Sequence, residues 1–351
     1  MKIVLCALGA EVESAVSSSL LRKGHEVLIF SKVVNDKDYD LDYLNCLMKY
    51  IHENKAEMVW CMDYLPIIAR ACNTEKIFYI SWVLREQWNT LYSDTFKYPI
   101  NFIFIGDKTI VDQFYPDNPG HIFYLPPATI VNDVEVIPDT VSISSKISIN
   151  PNYYIKNDYS DYLKGYIRGM VEAQQRVYGY DFIPKLLTQK IMVEFGRILG
   201  SEERGKDYNK VPMNILINDY ICDIITQKDY TGIENYLKGL GIYYEGKKIS
   251  AINVNITDRK WKSGIAYDML RTMGAGGFVL TNYQKDLELF FELGYEVVVY
   301  EDHKDLQEKI NYYLIHSQER IEIAFRGKKK IEESFSVHDR IEDIFYCLIN
   351  G

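Results

Sequence analysis

Two short segments near the end of the chain carry residue types suited to holding an anion. Ser263-Gly264-Ile265 follows the apolar run INVNI, and Asn282-Tyr283-Gln284 follows FVLT. A helix opening on such a segment presents unpaired backbone N–H groups beyond the carboxyl end of a strand. Open parallel sheets hold phosphate-bearing ligands at that place. Arg259, Lys260 and Lys262 precede the first segment and would add positive charge. The structural alternative is that Ser263 and Asn282 are N-caps and the three basic residues belong to a solvated loop. Gly274, Gly276 and Gly277 lie between a helical pattern and a strand, where a C-cap and tight turn use glycine's freedom at positive φ. Close backbone approach to a ligand is the functional alternative. Because G-A-G-G follows a helix instead of opening one after a strand, it is not the dinucleotide fingerprint.

Near the start, Gly9-Ala10-Glu11 follows the first strand, a place for a catalytic or acceptor-side acid or for a plain strand-to-helix turn. Glu11 and Glu13 then sit where a helix N-terminus favours acids. His25, His303, His316 and His338 form no metal-ligand spacing, and the six cysteines include no C-x-x-C pair, so neither a metal site nor a disulfide framework is expected.

These segments must be positioned by strands and helices in alternation. KIVLCALG, EVLIF, AEMVWCM, KIFYISWV, NFIFIG and HIFYL read as strands, with helices over 11–23, 41–54, 65–72 and 108–114 between them. Strand–helix–strand order requires right-handed crossovers and a parallel sheet, and strands this apolar are buried on both faces. Pro126-Pro127 and the polar stretch to residue 139 read as a boundary. Residues 159–239 are mainly helical in pattern. Alternation resumes with ISAINVNI, a helix over 264–273, GFVLT, a helix over 286–293, EVVVY, and helices over 304–316, 318–333 and 337–349.

Two domains suit a chain of 351 residues. A formal charge of −9 opposes non-specific nucleic-acid binding, and the run Lys328-Lys329-Lys330 is flanked by Glu332 and Glu333 as on a solvated helix face. The 29 tyrosines are spread along the chain and offer no clustered stacking platform. With no leader-like segment and no apolar run of bilayer length, a cytoplasmic protein without a transmembrane segment is expected.

The set INVNIT, SGI, GAGGFVLTNYQKDLELFF, YEVVVYED, LQEKINYYLIHSQERIEIAFRG and SFSVHDR, over residues 252–340, resembles the CgeB-like (spore-protein glycosyltransferase-like) family, and ISWV, NFIFIGDK and YLPPAT resemble its first domain. The resemblance implies an α/β protein of GT-B type: two Rossmann-like domains facing a cleft, with a helical region between. Expected boundaries are 1–140 for the acceptor-side domain, 141–245 for the connecting region, 246–335 for the donor-side domain, and 336–351 for a helix crossing back to the first. It implies a nucleotide-sugar donor, UDP-sugar foremost, as co-substrate without a metal, and a protein or glycan acceptor. The donor contacts it suggests are Asn255, Thr257, Arg259, Ser263, Gly264, Asp268, Arg271, Gly276, Thr281 and Asn282, with Glu11 or Glu86 as the acceptor-side acid.

Three departures from that family bear on activity. It places an arginine and, three residues later, an acid after SGI, given to the donor phosphates and ribose; here Asp268 and Arg271 exchange those charges. An acid expected after ISWV is replaced within Leu84-Arg85-Glu86-Gln87. A strand expected to open the C-terminal domain is missing near Leu237–Gly239, leaving about three clear strands, and Tyr230 stands where an arginine is common. The departures define an alternative, a lapsed glycosyltransferase-like subunit that binds an acceptor protein or an active homologue.

Overall fold

The computed structural model describes residues 1–85, 88–132, 134–145, 155, 159–202, 210–246 and 248–350. They divide into two compact units: Met1–Ala128 with Glu202–Val211 and Val337–Gly351, and Thr129–Ser201 with Pro212–Ser336.

The first unit alternates β1 (Lys2–Cys6), α1 (Glu13–Arg22), β2 (Glu26–Phe30), α2 (Leu41–Asn54), β3 (Met58–Met62), α3 (Pro66–Glu75), β4 (Phe78–Val83), β5 (Asn101–Ile105), α4 (Lys108–Phe114) and β6 (Ile122–Tyr124). All six strands are parallel, in the order β2-β1-β3-β4-β5-β6. The apolar runs explain that order. MVWCM and NFIFI are wholly buried as interior strands, whereas EVLIF is partly exposed at the edge. Helix starts follow the side chains available: Asp40 accepts from Tyr43 N at 2.9 Å, Asp107 accepts from Ile110 N at 3.1 Å, and Pro66 opens α3.

The second unit begins with β7 (Val136–Ile143), continues through α5 (Asp161–Gln174), α6 (Ile183–Leu186), α7 (Gln189–Glu202) and α8 (Met213–Gly239), and closes with β8 (Ile249–Asn255), α9 (Tyr267–Gly274), β9 (Val279–Asn282), β10 (Val298–Tyr300), α10 (His303–Ile315) and α11 (Ser317–Ser334). Its parallel sheet has four strands, β10-β9-β8-β7. The expectation of about three strands is therefore corrected. The fourth is supplied by residues 136–143, from the stretch that reads as a boundary. Its signature is masked because it is a half-exposed edge strand whose register shifts between Ile137 and Val141, around Pro138 and the left-handed Asp139. Proline and irregular pairing are confined to such edges. Two helices also differ from the pattern: α9 starts at Tyr267, and the expected helix over 286–293 is a short 3-10 turn, Lys285–Leu289.

Helix α8 has 27 residues and spans about 40 Å at the usual rise. Its first half packs Ile217, Ile221 and Ile224 with Leu163, Ile167 and Phe195 in a helical core. Its second half inserts Ile233 and Leu237 against Ile252, Val254 and Leu280 of the sheet. The other face of the sheet is covered by Met269, Leu270, Met273 and Ile331. The last helix, α12 (Val337–Asn350), belongs to the first unit. There Phe345 stacks on His25 at 5.0 Å, Glu342 pairs with Lys23, and Ile344 is fully buried.

Candidate functional site

In each unit the side chains capable of chemistry gather beyond the carboxyl ends of the strands, where parallel sheets leave backbone groups and loops for a ligand. In the second unit these loops are tied into a polar network. Ser145, just after β7, donates its hydroxyl to Asn255 Oδ1 at 3.2 Å. Asn255, fully buried, donates through Nδ2 to Thr281 Oγ1 at 3.0 Å and Thr257 Oγ1 at 3.3 Å. The Thr257 amide donates to Asn282 Oδ1 at 2.7 Å, and the Asp286 amide to the Ser263 carbonyl at 2.9 Å. The structure thus brings Asn255, Thr257, Thr281 and Asn282 into one buried cluster with Ser145. Asn282 has a structural duty in that cluster, and it is not a helix N-cap; the side chain of Gln284 makes no cap bond either.

Ser263 and Gly264 lie in the loop leading into α9, whose N-cap residue is Ala266. Asp268 stands in the first turn and pairs with Arg271 at 3.0 Å, while Arg271 also donates to the Ser144 carbonyl at 3.3 Å. The exchanged charges therefore form an i,i+3 pair on one helix face. Arg271, in the last turn of α9, is one-third exposed. Gly276 sits at φ +84° in the turn after α9, with Lys328 the nearest neighbour a Cβ would meet, at 3.8 Å, so its place is set by backbone conformation.

The basic residues of the 259–262 segment are engaged by acids of the helical region. Arg259 is 8% exposed; its Nε and Nη2 contact Asp229 Oδ2 at 2.9 and 2.7 Å, and Nη1 donates to the Val177 carbonyl at 3.0 Å. Its guanidinium lies 3.7 Å from the Tyr178 ring centre, a stacked cation–π contact. Asp229 Oδ1 takes Gln175 Nε2 at 3.2 Å and faces His303 Nε2 at 3.3 Å. Burial disfavours the Asp229 carboxylate, yet Arg259 and His303 outweigh it and hold its pKa below the ordinary value. Lys260 pairs with Asp223 at 2.8 Å and Lys262 with Asp181 at 2.6 Å. Neither a solvated loop nor a row of open phosphate ligands describes this segment, which anchors the helical region to the sheet. Sequence reasoning missed these pairs, because the acids lie between 30 and 81 residues away in the chain.

In the first unit Glu11 is exposed on the turn before α1. Glu13 accepts from the Leu8 amide at 2.7 Å and the Gly9 amide at 3.2 Å, closing the loop where Gly9 adopts φ +85°. Glu86 lies outside the described residues. Arg85, after β4, bonds through its guanidinium to Asp63, an acid that sequence reasoning passed over. Asp63 immediately follows β3, is 2% exposed and has φ +67°, unusual for a non-glycine residue. Burial pushes its pKa up, opposed by Arg85. Among the described residues no three His, Cys, Asp or Glu side chains form a metal-ligating group, and no helix is long and apolar enough to cross a membrane. All six cysteines are free thiols.

The arrangement of two parallel sheets, each with its loops at the carboxyl edge, has counterparts among solved structures. HepE of Anabaena, in complex with UDP-glucose, superposes with a TM-score of 0.53 at 10% identity, covering 100% of both chains. Sucrose-phosphate synthase from Thermosynechococcus elongatus gives 0.52 at 9% identity, covering 100% of this chain and 99% of that one. The fold is GT-B. Residues 243–345, which hold β8 through α11 and most of α12, match a family model described as glycosyl transferase-like. An uncharacterized protein of Aquifex aeolicus (strain VF5) is 27% identical over 136 residues, a stretch covering 38% of this chain and 33% of that protein, about a third of its length.

Proposed function

We propose that this GT-B chain is a nucleotide-sugar-dependent glycosyltransferase of the CgeB-like kind, working in the cytoplasm on a protein or glycan acceptor. The observation that carries the reading is the coincidence of the glycosyl transferase-like match, residues 243–345, with the β8–α9–β9 block that gathers Asn255, Thr257, Ser263, Arg271, Thr281 and Asn282. In this reading the donor, a UDP-sugar, lies beyond the carboxyl ends of β8 and β9. The bond between the sugar's anomeric carbon and the diphosphate oxygen breaks, the acceptor oxygen bonds to that carbon, and the acceptor proton passes to a carboxylate base, the role that the family resemblance gives to Glu11 or Glu86. Charge developing on the departing diphosphate is met by Arg271 and the amides opening α9, without a metal ion.

The test is direct. UDP should raise the melting temperature of the full chain, because a ligand of the native state must stabilise it. A UDP-, GDP- and dTDP-sugar panel should show hydrolysis of at least one member, most readily a UDP-sugar. A panel giving neither stabilisation nor hydrolysis would sink the reading.

Two observations favour a second reading. Arg259, Lys260 and Lys262 are bound to the chain's own acids, and Asp268 places a carboxylate in the first turn of α9, where a diphosphate would meet repulsion. A lapsed subunit that binds an acceptor protein or an active homologue accounts for both. It predicts a stable complex with such a partner, and turnover of a sugar nucleotide by the purified chain alone excludes it.

A further inference from the structure

The order β2-β1-β3-β4-β5-β6 reverses direction between β1 and β3, and the loops leaving those strands flank the crevice where such sheets take ligands. Asp63 is the first residue past β3, and Arg85 lies two residues past β4, the strand paired with β3. The Asp63 carboxylate receives the amides of Leu84 at 3.1 Å and Arg85 at 3.2 Å, and also the Nε and Nη2 groups of Arg85. One buried carboxylate therefore holds both the backbone and the side chain of Arg85. Its side chain is 46% exposed, whereas that of Asp63 is 3% exposed.

A guanidinium has two forked edges. Asp63 occupies the Nε–Nη2 edge, which leaves the donors of the Nη1–Nη2 fork that face away from that carboxylate, on a side chain that is 46% exposed. A guanidinium fork held in this way matches the geometry of an oxyanion, carboxylate or phosphate. Asp63 is bound to Arg85 itself, Glu13 is capped by the Leu8 and Gly9 amides, and Glu11 is exposed on the turn before α1. The left-handed backbone at Asp63 costs on the order of 1 kcal/mol for a non-glycine residue, and such strain persists where surrounding structure enforces it, often at binding sites.

We propose that Arg85, positioned by Asp63, is the anchor for an oxyanion on the acceptor, so that the acceptor is an acidic sugar or sugar phosphate and not a neutral one. This rests on the glycosyltransferase reading for the word acceptor, but the anion site is testable apart from it. The experiment titrates the full chain with galacturonate, galactose 6-phosphate and galactose, following melting temperature and saturation-transfer NMR, with UDP in a separate arm. The two charged sugars should bind and galactose should not, and the larger response identifies carboxylate or phosphate. Arg85→Gln should abolish both responses. Arg85→Lys, which keeps the charge but loses the fork, should weaken them roughly fivefold or more, and it decides the matter if the glutamine variant fails to fold. Both variants should retain the UDP response of the wild type. Equal binding of galactose, or unchanged binding of charged sugars by the Arg85 variants, would overturn the proposal. Binding of charged sugars without any UDP response would leave the anion site standing and remove the donor reading instead.

Discussion

Replacing Asp229 by asparagine removes one charge from a pair that has almost no water around it: the side chains of Asp229 and Arg259 are 0% and 7% exposed. The geometry of the network is kept by an isosteric amide, so the loss reports the charge. Breaking a buried pair by neutralising one partner costs about 3–5 kcal/mol, because the other charge stays buried without compensation. Asparagine keeps an oxygen for Arg259, and the carbonyls of Val177 and Gln175 remain, which places the expected cost near the lower end, about 3 kcal/mol. For a unit of this size that corresponds to a fall in Tm of roughly 6–12 °C. Arg259→Met alone should cost a similar amount. The double variant should cost less than the sum, with a coupling of about 2 kcal/mol. The control is Glu308→Gln, whose partner Lys304 is 85% exposed and which should cost less than about 0.5 kcal/mol. The pH profile carries a sign. The pKa of Asp229 is depressed in the folded chain, so its contribution is present in full above the ordinary value of 3.8 and is lost as the pH falls below it through the folded value. The difference in Tm between wild type and Asp229→Asn should therefore shrink as the pH falls below about 4. A loss no larger than that of the control, or additive single variants, would refute the view that the 259–262 segment is an anchor.

Three further outcomes follow from single positions. Gly179 has φ +72° and an added Cβ would lie 2.5 Å from the Tyr283 ring, so Gly179→Ala should cost about 1–3 kcal/mol in urea denaturation, with part of the loss recovered when Tyr283 is also made alanine. Asp268→Asn removes a carboxylate from the first turn of α9 and should tighten UDP binding by roughly three- to tenfold in calorimetry, whereas Arg271→Ala should weaken it. Ile344→Ala empties a fully buried place on α12, and should cost about 3 kcal/mol and expose the C-terminal helix to limited proteolysis.

The candidate donor-side cluster was legible in part. Asn255, Thr257, Thr281 and Asn282 stand at the ends of apolar runs, and strand ends in a parallel sheet converge by construction, so naming the strands named their last residues. The pairing of Asp268 with Arg271 was also readable, because three residues along a helix return to the same face. Arg85 was singled out only as a departure, and its partner carried no signal: Asp63 closes the segment CMD, one acid among many, and what marks it is a left-handed backbone and a buried neighbourhood.

By itself the sequence determined most of the strands and helices, because burial on both faces of a parallel strand, or one face of a helix, leaves a periodic trace within a few consecutive residues; the GT-B class was implied by the family resemblance of residues 252–340 and not by that periodicity. Tertiary structure alone decided which distant elements meet. It placed the half-exposed, proline-bearing strand 136–143 at the edge of the second sheet, across the whole helical region from its partner β8. It likewise gave Arg259, Lys260 and Lys262 their acids from α8 and the loop before α6. Charge pairing leaves no periodicity, since an acid is available to whichever cation the packing brings near, and that packing is set by cores far apart in the chain.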